Sequence, residues 1–179
     1  MNHDVADITR RMGPNRAITA LQRTYSLQRP VFLWGPPGIG KSDIVAQLAT
    51  KSKAHLIDVR LSLWDPTDIK GIPYFDSDSK TMQWAPPAEL PSVLDAENYT
   101  AVFLFLDEMN SAAPSTQAAA YQLILNRRVG TYELPDNVYI IAAGNRENDR
   151  GVTYRMPAPL ANRFVHLEME HDFDDFLSW

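Results

Sequence analysis

The feature that most constrains the fold is the octet Gly35-Pro36-Pro37-Gly38-Ile39-Gly40-Lys41-Ser42, which fits the phosphate-binding pattern G-x-x-x-x-G-K-[ST]. An apolar run at 30–34 leads into the octet. The residues after it are apolar at helical spacing, namely Ile44, Val45, Leu48 and Ala49. This order of strand, loop and helix predicts a P-loop. The alternative, a Gly/Pro turn that happens to precede a lysine, is disfavoured because the pattern and its context agree.

The residue types of this loop indicate what it binds. Glycines let successive backbone N–H groups turn toward phosphate oxygens, and the N-terminus of the following helix adds partial positive charge. We expect Lys41 to reach the β- and γ-phosphates of a nucleotide and the Ser42 hydroxyl to ligate Mg²⁺. The predicted nucleotide-binding residues are Gly35, Pro36, Pro37, Gly38, Ile39, Gly40, Lys41, Ser42 and Asp43.

Composition bounds the class of protein. The chain has 179 residues, of which 45% are hydrophobic and 22% charged, which predicts one globular domain. Its net charge of -5 disfavours general binding to nucleic acid. The absence of cysteine excludes disulfides and thiolate metal sites. With no membrane-length apolar run and no signal-peptide pattern, we expect a soluble cytoplasmic protein that does not bind membranes.

Short apolar segments alternate with amphipathic ones. Segments rich in β-branched and aromatic residues predict strands at 31–34, 56–61, 102–106, 138–142 and 165–169. Several of them are apolar on both faces, as buried parallel strands are. Helices are predicted at 41–51 and 115–126, and loop-rich stretches at 66–91 and 146–159. The alternation predicts an α/β fold, a three-layer αβα sandwich around a parallel central sheet.

Two adjacent carboxylates, Asp107 and Glu108, follow the apolar segment 101–106. They should lie at the carboxyl end of a strand, the edge at which ligands of open α/β sheets bind. We expect Asp107 to hold Mg²⁺, usually through water, and Glu108 to polarise an attacking water molecule. An exposed pair without a catalytic role is the alternative, and the upstream P-loop disfavours it.

Two later polar residues are candidate contacts of the γ-phosphate. Asn145 follows the apolar segment 138–143 and should lie at the same sheet edge as Asp107 and Glu108. Arg163 precedes the last predicted strand, so it should lie near a helix end on the surface, where it could reach the nucleotide of a neighbouring subunit. From the sequence pattern alone, a solvated or ion-paired surface role for Arg163 is the more common one.

The ordered segments GPPGIGKS, FLFLDE, IIAAGN and PLANRF resemble those of AAA+ ATPases, and the surrounding sequence is similar to the MoxR-type branch. The similarity extends from about Ala17 to Met169. It implies a core that binds ATP or ADP with Mg²⁺ and hydrolyses ATP. It also implies that Asn145 is sensor 1 and that Arg163 is the arginine finger. Weaker finger candidates are Arg127, Arg128, Arg146 and Arg155.

The same resemblance implies partners. Members of this branch form rings, usually homo-hexamers, with nucleotide at the subunit boundaries. They remodel or activate a protein client, commonly together with a protein that has a von Willebrand factor A domain. The segment 71–85 resembles the helix-2 insert hairpin of the branch. It either faces the ring pore and grips a partner or packs its aromatic side chains locally.

Two departures from the branch are visible. Its members continue into a helical lid with a sensor-2 arginine, whereas this chain ends at Trp179, so we expect a single core domain over 1–179 that is truncated before the lid. The ending 172–179 has the pattern of an interrupted helix. In addition, Ser111 stands where many MoxR relatives have an arginine, which removes one positive charge near the phosphates.

Three other functions remain open. A nucleotide-dependent assembly module with little hydrolysis is disfavoured by the Asp107-Glu108 pair, and a DNA-directed motor by the acidic composition. A small-molecule phosphotransferase would not need Asn145 and Arg163 in this order. The four histidines share no ligand spacing, so we predict no metal site beyond nucleotide-bound Mg²⁺.

Overall fold

The computed structural model describes residues 11–146 and 153–170. Its strands are β1 (Arg11–Met12), β2 (Val31–Trp34), β3 (His55–Arg60), β4 (Ile72–Asp76), β5 (Thr81–Ala85), β6 (Val102–Asp107), β7 (Arg128–Val129), β8 (Tyr132–Glu133), β9 (Val138–Gly144) and β10 (Val165–Met169). Its helices are α1 (Pro14–Ser26), α2 (Lys41–Ser52), α3 (Pro66–Lys70), α4 (Val93–Asn98), α5 (Pro114–Asn126) and α6 (Ala158–Ala161). Short 3₁₀ turns follow β3 at Leu61–Leu63 and β6 at Met109–Ser111.

Six strands form one parallel sheet in the spatial order β1-β10-β2-β9-β6-β3. All residues of β6 and β9 are buried, which accounts for their nearly continuous apolar sequences. Because β2, β9 and β6 are neighbours and run in the same direction, the segments that follow them meet at one edge of the sheet. That edge therefore brings together the P-loop, the acidic pair and Asn145.

Helices cover both faces of the sheet, which confirms the predicted three-layer sandwich. Alternate side chains of a strand point to opposite faces, so each central strand contributes to two cores. One core joins α1 and α2 to Leu33, Phe103 and Ile141. The other joins α5 to Phe32 and Leu104. In the ranges 11–146 and 153–170, no helix is both long enough and apolar enough to cross a membrane.

The structure also differs from the sequence-based boundaries. Strand β3 covers His55–Arg60 instead of 56–61, because Leu61 begins the 3₁₀ turn that buries its side chain. The stretch 66–91 is not simply a loop, since it contains α3 and the hairpin β4–β5. Residues 147–152 of the second loop-rich stretch and the predicted helix start at 172–179 lie outside the described residues.

Strands β4 and β5 form a separate antiparallel hairpin, in agreement with the predicted insert at 71–85. Gly71 has a φ of 86°, and a Cβ at this position would lie 1.9 Å from the Ala85 carbonyl oxygen, so the base of the hairpin needs glycine. Phe75 and Met82 face each other across the strands and are 66% and 64% exposed. Phe75 is therefore not buried in the core of the domain.

Candidate nucleotide-binding and catalytic site

The predicted P-loop connects the end of β2 to the start of α2. Gly38 and Gly40 have φ angles of 77° and 89°, in the left-handed region that glycine enters without a steric penalty. Gly40 caps α2, and its carbonyl accepts a hydrogen bond from the Ile44 N–H at 3.0 Å. Pro37 is exposed at the tip of the loop, while Ile39 is buried. The local backbone thus has the shape that the motif requires.

Lys41 is the first residue of α2, and only 8% of it is exposed. Its ammonium group donates hydrogen bonds to the carbonyl oxygens of Gly35 at 2.7 Å and Pro36 at 3.0 Å. It also donates to Oδ1 of Asn145 at 3.2 Å. This hydrogen bond joins residues that are 104 positions apart in the sequence. It therefore links the two sequence motifs that were expected to share a phosphate.

Ser42 and Asp107, the two residues predicted to hold Mg²⁺, are hydrogen-bonded to each other. The Ser42 hydroxyl donates to Oδ2 of Asp107 at 3.3 Å, and Oδ1 of Asp107 accepts from the Glu108 backbone N–H at 2.8 Å. A hydroxyl and a carboxylate suit Mg²⁺, which binds few protein oxygens and completes its shell with water and phosphate. The residues present therefore fit this ion. In the described part of the chain, no cluster of three His, Cys, Asp or Glu side chains provides a separate metal site.

Glu108 does not continue β6. Its φ of 52° and ψ of 33° place it in the left-handed region, so the chain turns sharply after Asp107. The Ser62 hydroxyl donates a hydrogen bond to Oε2 of Glu108, and Nε of Arg60 lies 3.8 Å from Oε1. Two residues at the carboxyl end of β3 therefore restrain the carboxylate that is the candidate base.

The Asn145 backbone is fixed by Asn110, which is 3% exposed. The Asn110 side chain donates to the Asn145 carbonyl at 2.6 Å and accepts from the Asn145 N–H at 3.1 Å. A Cβ on Gly144 would lie 2.2 Å from Oδ1 of Asn110, so this two-bond contact requires glycine at 144. Asn110 thus aligns the ends of β6 and β9 and directs the Asn145 side chain toward Lys41.

Negative charge is concentrated at the ends of β3 and β6. Burial and the neighbouring charge of Asp107 raise the pKa of the Asp58 carboxyl, and Arg60 opposes this shift. Both causes disfavour the ionised form of the Asp58 carboxyl, and burial is the larger of the two. A divalent cation at Ser42 and Asp107 would offset the effect of the Asp107 charge. Asp43, in contrast, lies exposed in the first turn of α2.

The arginine candidates lie in different places. Arg146 forms an ion pair with Glu168 at 2.7 Å. Arg127 donates to the carbonyl oxygens of Pro135 and Val138. Arg128 and Arg155 are exposed. Arg163 is also exposed and follows the end of α6, as predicted, at the sheet edge opposite the P-loop.

Sequence reasoning missed four residues that shape these sites: Arg29, Arg60, Ser62 and Asn110. One sequence signal could have indicated Arg60 and Ser62: Arg60 ends β3 and Ser62 follows it, and the carboxyl ends of neighbouring parallel strands meet at one edge. Asn110 sits three residues after Asp107, which marked it only as a neighbour of the acidic pair. Arg29 belongs to no sequence motif that would have indicated a role.

A P-loop after β2, an acidic pair at the carboxyl end of β6 and an asparagine after β9 define a P-loop nucleotide-binding domain. The chain belongs to the ATPase family associated with various cellular activities (AAA), whose model matches residues 30–166. It is 25% identical to Midasin of Giardia intestinalis in an alignment 170 positions long that covers 88% of this chain and 3% of that protein. The chain therefore spans only a small part of this relative.

The fold is similar to the crystal structure of a candidate ATPase from Cytophaga hutchinsonii, with a TM-score of 0.66. The two proteins share 18% sequence identity, and the alignment covers 94% of this chain and 50% of the other. At this level of identity the likeness concerns the fold, and it agrees with the parallel sheet described above.

Proposed function

We propose that this chain is an ATP-hydrolysing module of the MoxR type that forms a homo-hexameric ring and remodels or activates a partner protein. The observation that carries the proposal is the convergence of Lys41, Ser42, Asp107, Glu108 and Asn145 at one sheet edge. Membership of the AAA family supports ATP as the nucleotide. The MoxR-type segments and the inserted hairpin support the finer assignment.

In this proposal the P-loop and Lys41 hold the phosphates. The Lys41 ammonium is already directed into the loop by the carbonyls of Gly35 and Pro36, so little side-chain entropy remains to be lost on binding. Ser42 and Asp107 hold Mg²⁺, which neutralises phosphate charge when it is bound. These residues account for binding and orientation.

Glu108 is the proposed general base. Its carboxylate takes a proton from the attacking water, and the hydrogen bond from Ser62 and the Arg60 contact must weaken for it to do so. Asn145 orients the water or the γ-phosphate through its amide, with its backbone held by Asn110. Release of Glu108 is therefore a step that separates the structure described here from a hydrolysing state.

Two features support assembly and a protein partner. Arg163 lies at the opposite sheet edge from Lys41, so within a ring it can complete the site of the next subunit but not its own. The hairpin β4–β5 exposes Ile72, Phe75 and Met82, which are 69%, 66% and 64% accessible. Apolar exposure of this kind suits contact with a protein client or a companion with a von Willebrand factor A domain.

A nucleotide-dependent assembly module with little hydrolysis is the second candidate. The observation that favours it is the engagement of the Glu108 carboxylate by Ser62 and Arg60. If Ser62 and Arg60 still hold the Glu108 carboxylate when nucleotide is bound, nucleotide binding would fix the arrangement of the assembly without ATP hydrolysis. A variant that removes the Ser62 hydroxyl separates the two functions.

Replacing Ser62 by alanine is expected to raise steady-state ATP hydrolysis severalfold. A hydrogen bond to a charged group contributes about 1.5–3 kcal/mol, and this contribution no longer has to be given up before Glu108 accepts a proton. The measurement is phosphate release at saturating Mg²⁺-ATP, with Ser77→Ala, an exposed serine of the hairpin turn, as the matched control. A fall to the rate of Glu108→Gln would instead show that Ser62 positions the base.

Replacing Arg163 by alanine is expected to leave nucleotide affinity unchanged and to lower turnover in assemblies about a thousandfold or more, because an arginine supplied in trans typically contributes that much. Fluorescent-nucleotide titration and phosphate release on the same samples measure the two effects. Arg23→Ala, an exposed arginine of α1, is the control. Equal turnover in the Arg163→Ala variant and the parent would assign the finger to another arginine.

A further inference from the structure

Three arginines, Arg29, Arg127 and Arg163, line a single pocket of about 300 Å³, which we call the arginine pocket. Its other walls come from the end of α1, the end of α5 and the start of β9, and they include Leu27 and Leu125. Arg29 and Arg163 are exposed; Arg163 is the proposed arginine finger, whereas Arg29 has no role assigned above. The three arginines belong to segments far apart in the sequence, and the fold brings these residues to one pocket.

Among the described residues, ion pairs do not compensate the positive charge of the arginine pocket. Within 11–146 and 153–170, no carboxylate lies within 4.0 Å of Arg29, Arg127 or Arg163. Arg127 is held by two carbonyl oxygens, those of Pro135 at 2.7 Å and Val138 at 3.0 Å. Asp136 is the charged group that acts on Arg127 from a greater distance. In a chain with a net charge of -5, such a cluster is not expected from composition.

The arginine pocket lies at the amino edge of the sheet. Pro30 immediately precedes β2, Val138 begins β9, and Arg163 lies two residues before β10. The P-loop and Asn145 lie at the carboxyl edge, and a seven-residue strand such as β9 spans about 20 Å at ~3.3 Å per residue. The arginines of the arginine pocket therefore cannot contact a nucleotide held by Lys41 of the same chain.

Guanidinium groups recognise phosphate through paired N–H donors, and a pocket of about 300 Å³ has room for a phosphate group and several waters at ~30 Å³ each. We propose that Arg29, beside the proposed finger Arg163, contacts a phosphate group of the nucleotide held by a second copy of this chain. Arg127 forms the fixed wall of the arginine pocket. The inference rests on the proposed nucleotide binding and extends the trans contact beyond Arg163 to Arg29.

The first test measures assembly rather than turnover. In a Glu108→Gln background, Arg29→Gln is expected to raise by about tenfold or more the protein concentration needed for ATP-dependent assembly, followed by light scattering. Fluorescent-nucleotide affinity of the dilute protein should not change, because Arg29 is remote from Lys41. Arg23→Gln on α1 is the matched control, and Arg29→Lys, which keeps the charge and loses the paired donors, should give an intermediate effect. Unchanged assembly in Arg29→Gln would overturn the proposal.

The second test uses mixed assemblies. Arg29→Gln subunits keep the P-loop, and Lys41→Ala subunits keep the arginine pocket, so mixing two impaired proteins should restore ATP hydrolysis severalfold above their average. Failure of mixing to restore activity, with the parent active, would contradict a trans role for Arg29. If the parent itself shows no hydrolysis that depends on Glu108, the proposed hydrolytic function fails, and the light-scattering result still decides the role of the arginine pocket.

The third test separates a second copy from a free anion. Inorganic phosphate and pyrophosphate are titrated into Lys41→Ala protein by calorimetry, with and without Arg29→Gln. We expect no binding at millimolar concentrations, because the proposed phosphate is presented by a partner subunit. Binding that disappears in the Arg29→Gln variant would show a site for a free anion. It would overturn the inference that a second copy of the chain supplies the phosphate group.

Discussion

ATP affinity is expected to fall at least about a hundredfold when Lys41 is replaced by alanine. Hydrogen bonds to charged groups contribute about 1.5–3 kcal/mol each, and the ammonium of Lys41 is the cation that the P-loop holds beside Asn145. The measurement is titration with a fluorescent nucleotide. Thermal unfolding of the same protein shows whether the fold is retained.

Lys51→Ala is the matched control for this variant, because Lys51 is exposed in the last turn of the same helix. Its affinity should equal that of the parent, which would show that loss of one positive charge from α2 is not itself the cause. Equal affinity of Lys41→Ala and the parent would contradict the assignment of the P-loop.

Replacing Glu108 by glutamine is expected to preserve ATP binding and to lower turnover by about 10²- to 10⁴-fold, the contribution typical of a general base. The amide has nearly the same size and can still accept a hydrogen bond from Ser62, but it cannot accept the proton of the attacking water. Phosphate release at saturating Mg²⁺-ATP, together with nucleotide titration, separates catalysis from binding.

Glu97→Gln, an exposed glutamate of α4, is the control for the loss of a carboxylate. Its turnover should match that of the parent. Full activity in Glu108→Gln would remove Glu108 from catalysis and would favour Asp107 or another group as the base.

Much of the fold could be predicted because its central strands are strongly apolar. Strands β2 and β10 have the predicted bounds, and β9 continues to Gly144 because the buried sheet also accepts Ala143 and Gly144. Helix α1 was missed although Ala17, Ile18 and Leu21 form its buried face. The two-residue strands β1, β7 and β8 are too short to show an alternating apolar pattern, and they are defined only by pairing with a partner strand.

The candidate site was predictable where a motif fixes the local backbone. Lys41, Ser42, Asp107 and Asn145 meet as expected because the ends of neighbouring parallel strands share an edge. The left-handed turn at Glu108 and its contact with Ser62 depend on how β3 lies against β6, which no local pattern encodes. The arginine pocket likewise arises from tertiary packing, so Arg29 could not be distinguished from a surface arginine.

The most direct test of ATP hydrolysis completed between subunits is steady-state Mg²⁺-ATP hydrolysis as a function of protein concentration, with light scattering on the same samples and Glu108→Gln as the blank. We expect a specific activity that rises with assembly, because Arg163 lies at the opposite sheet edge from Lys41 and can act only on a neighbouring subunit. Activity that is above the blank but independent of assembly would contradict catalysis completed in trans.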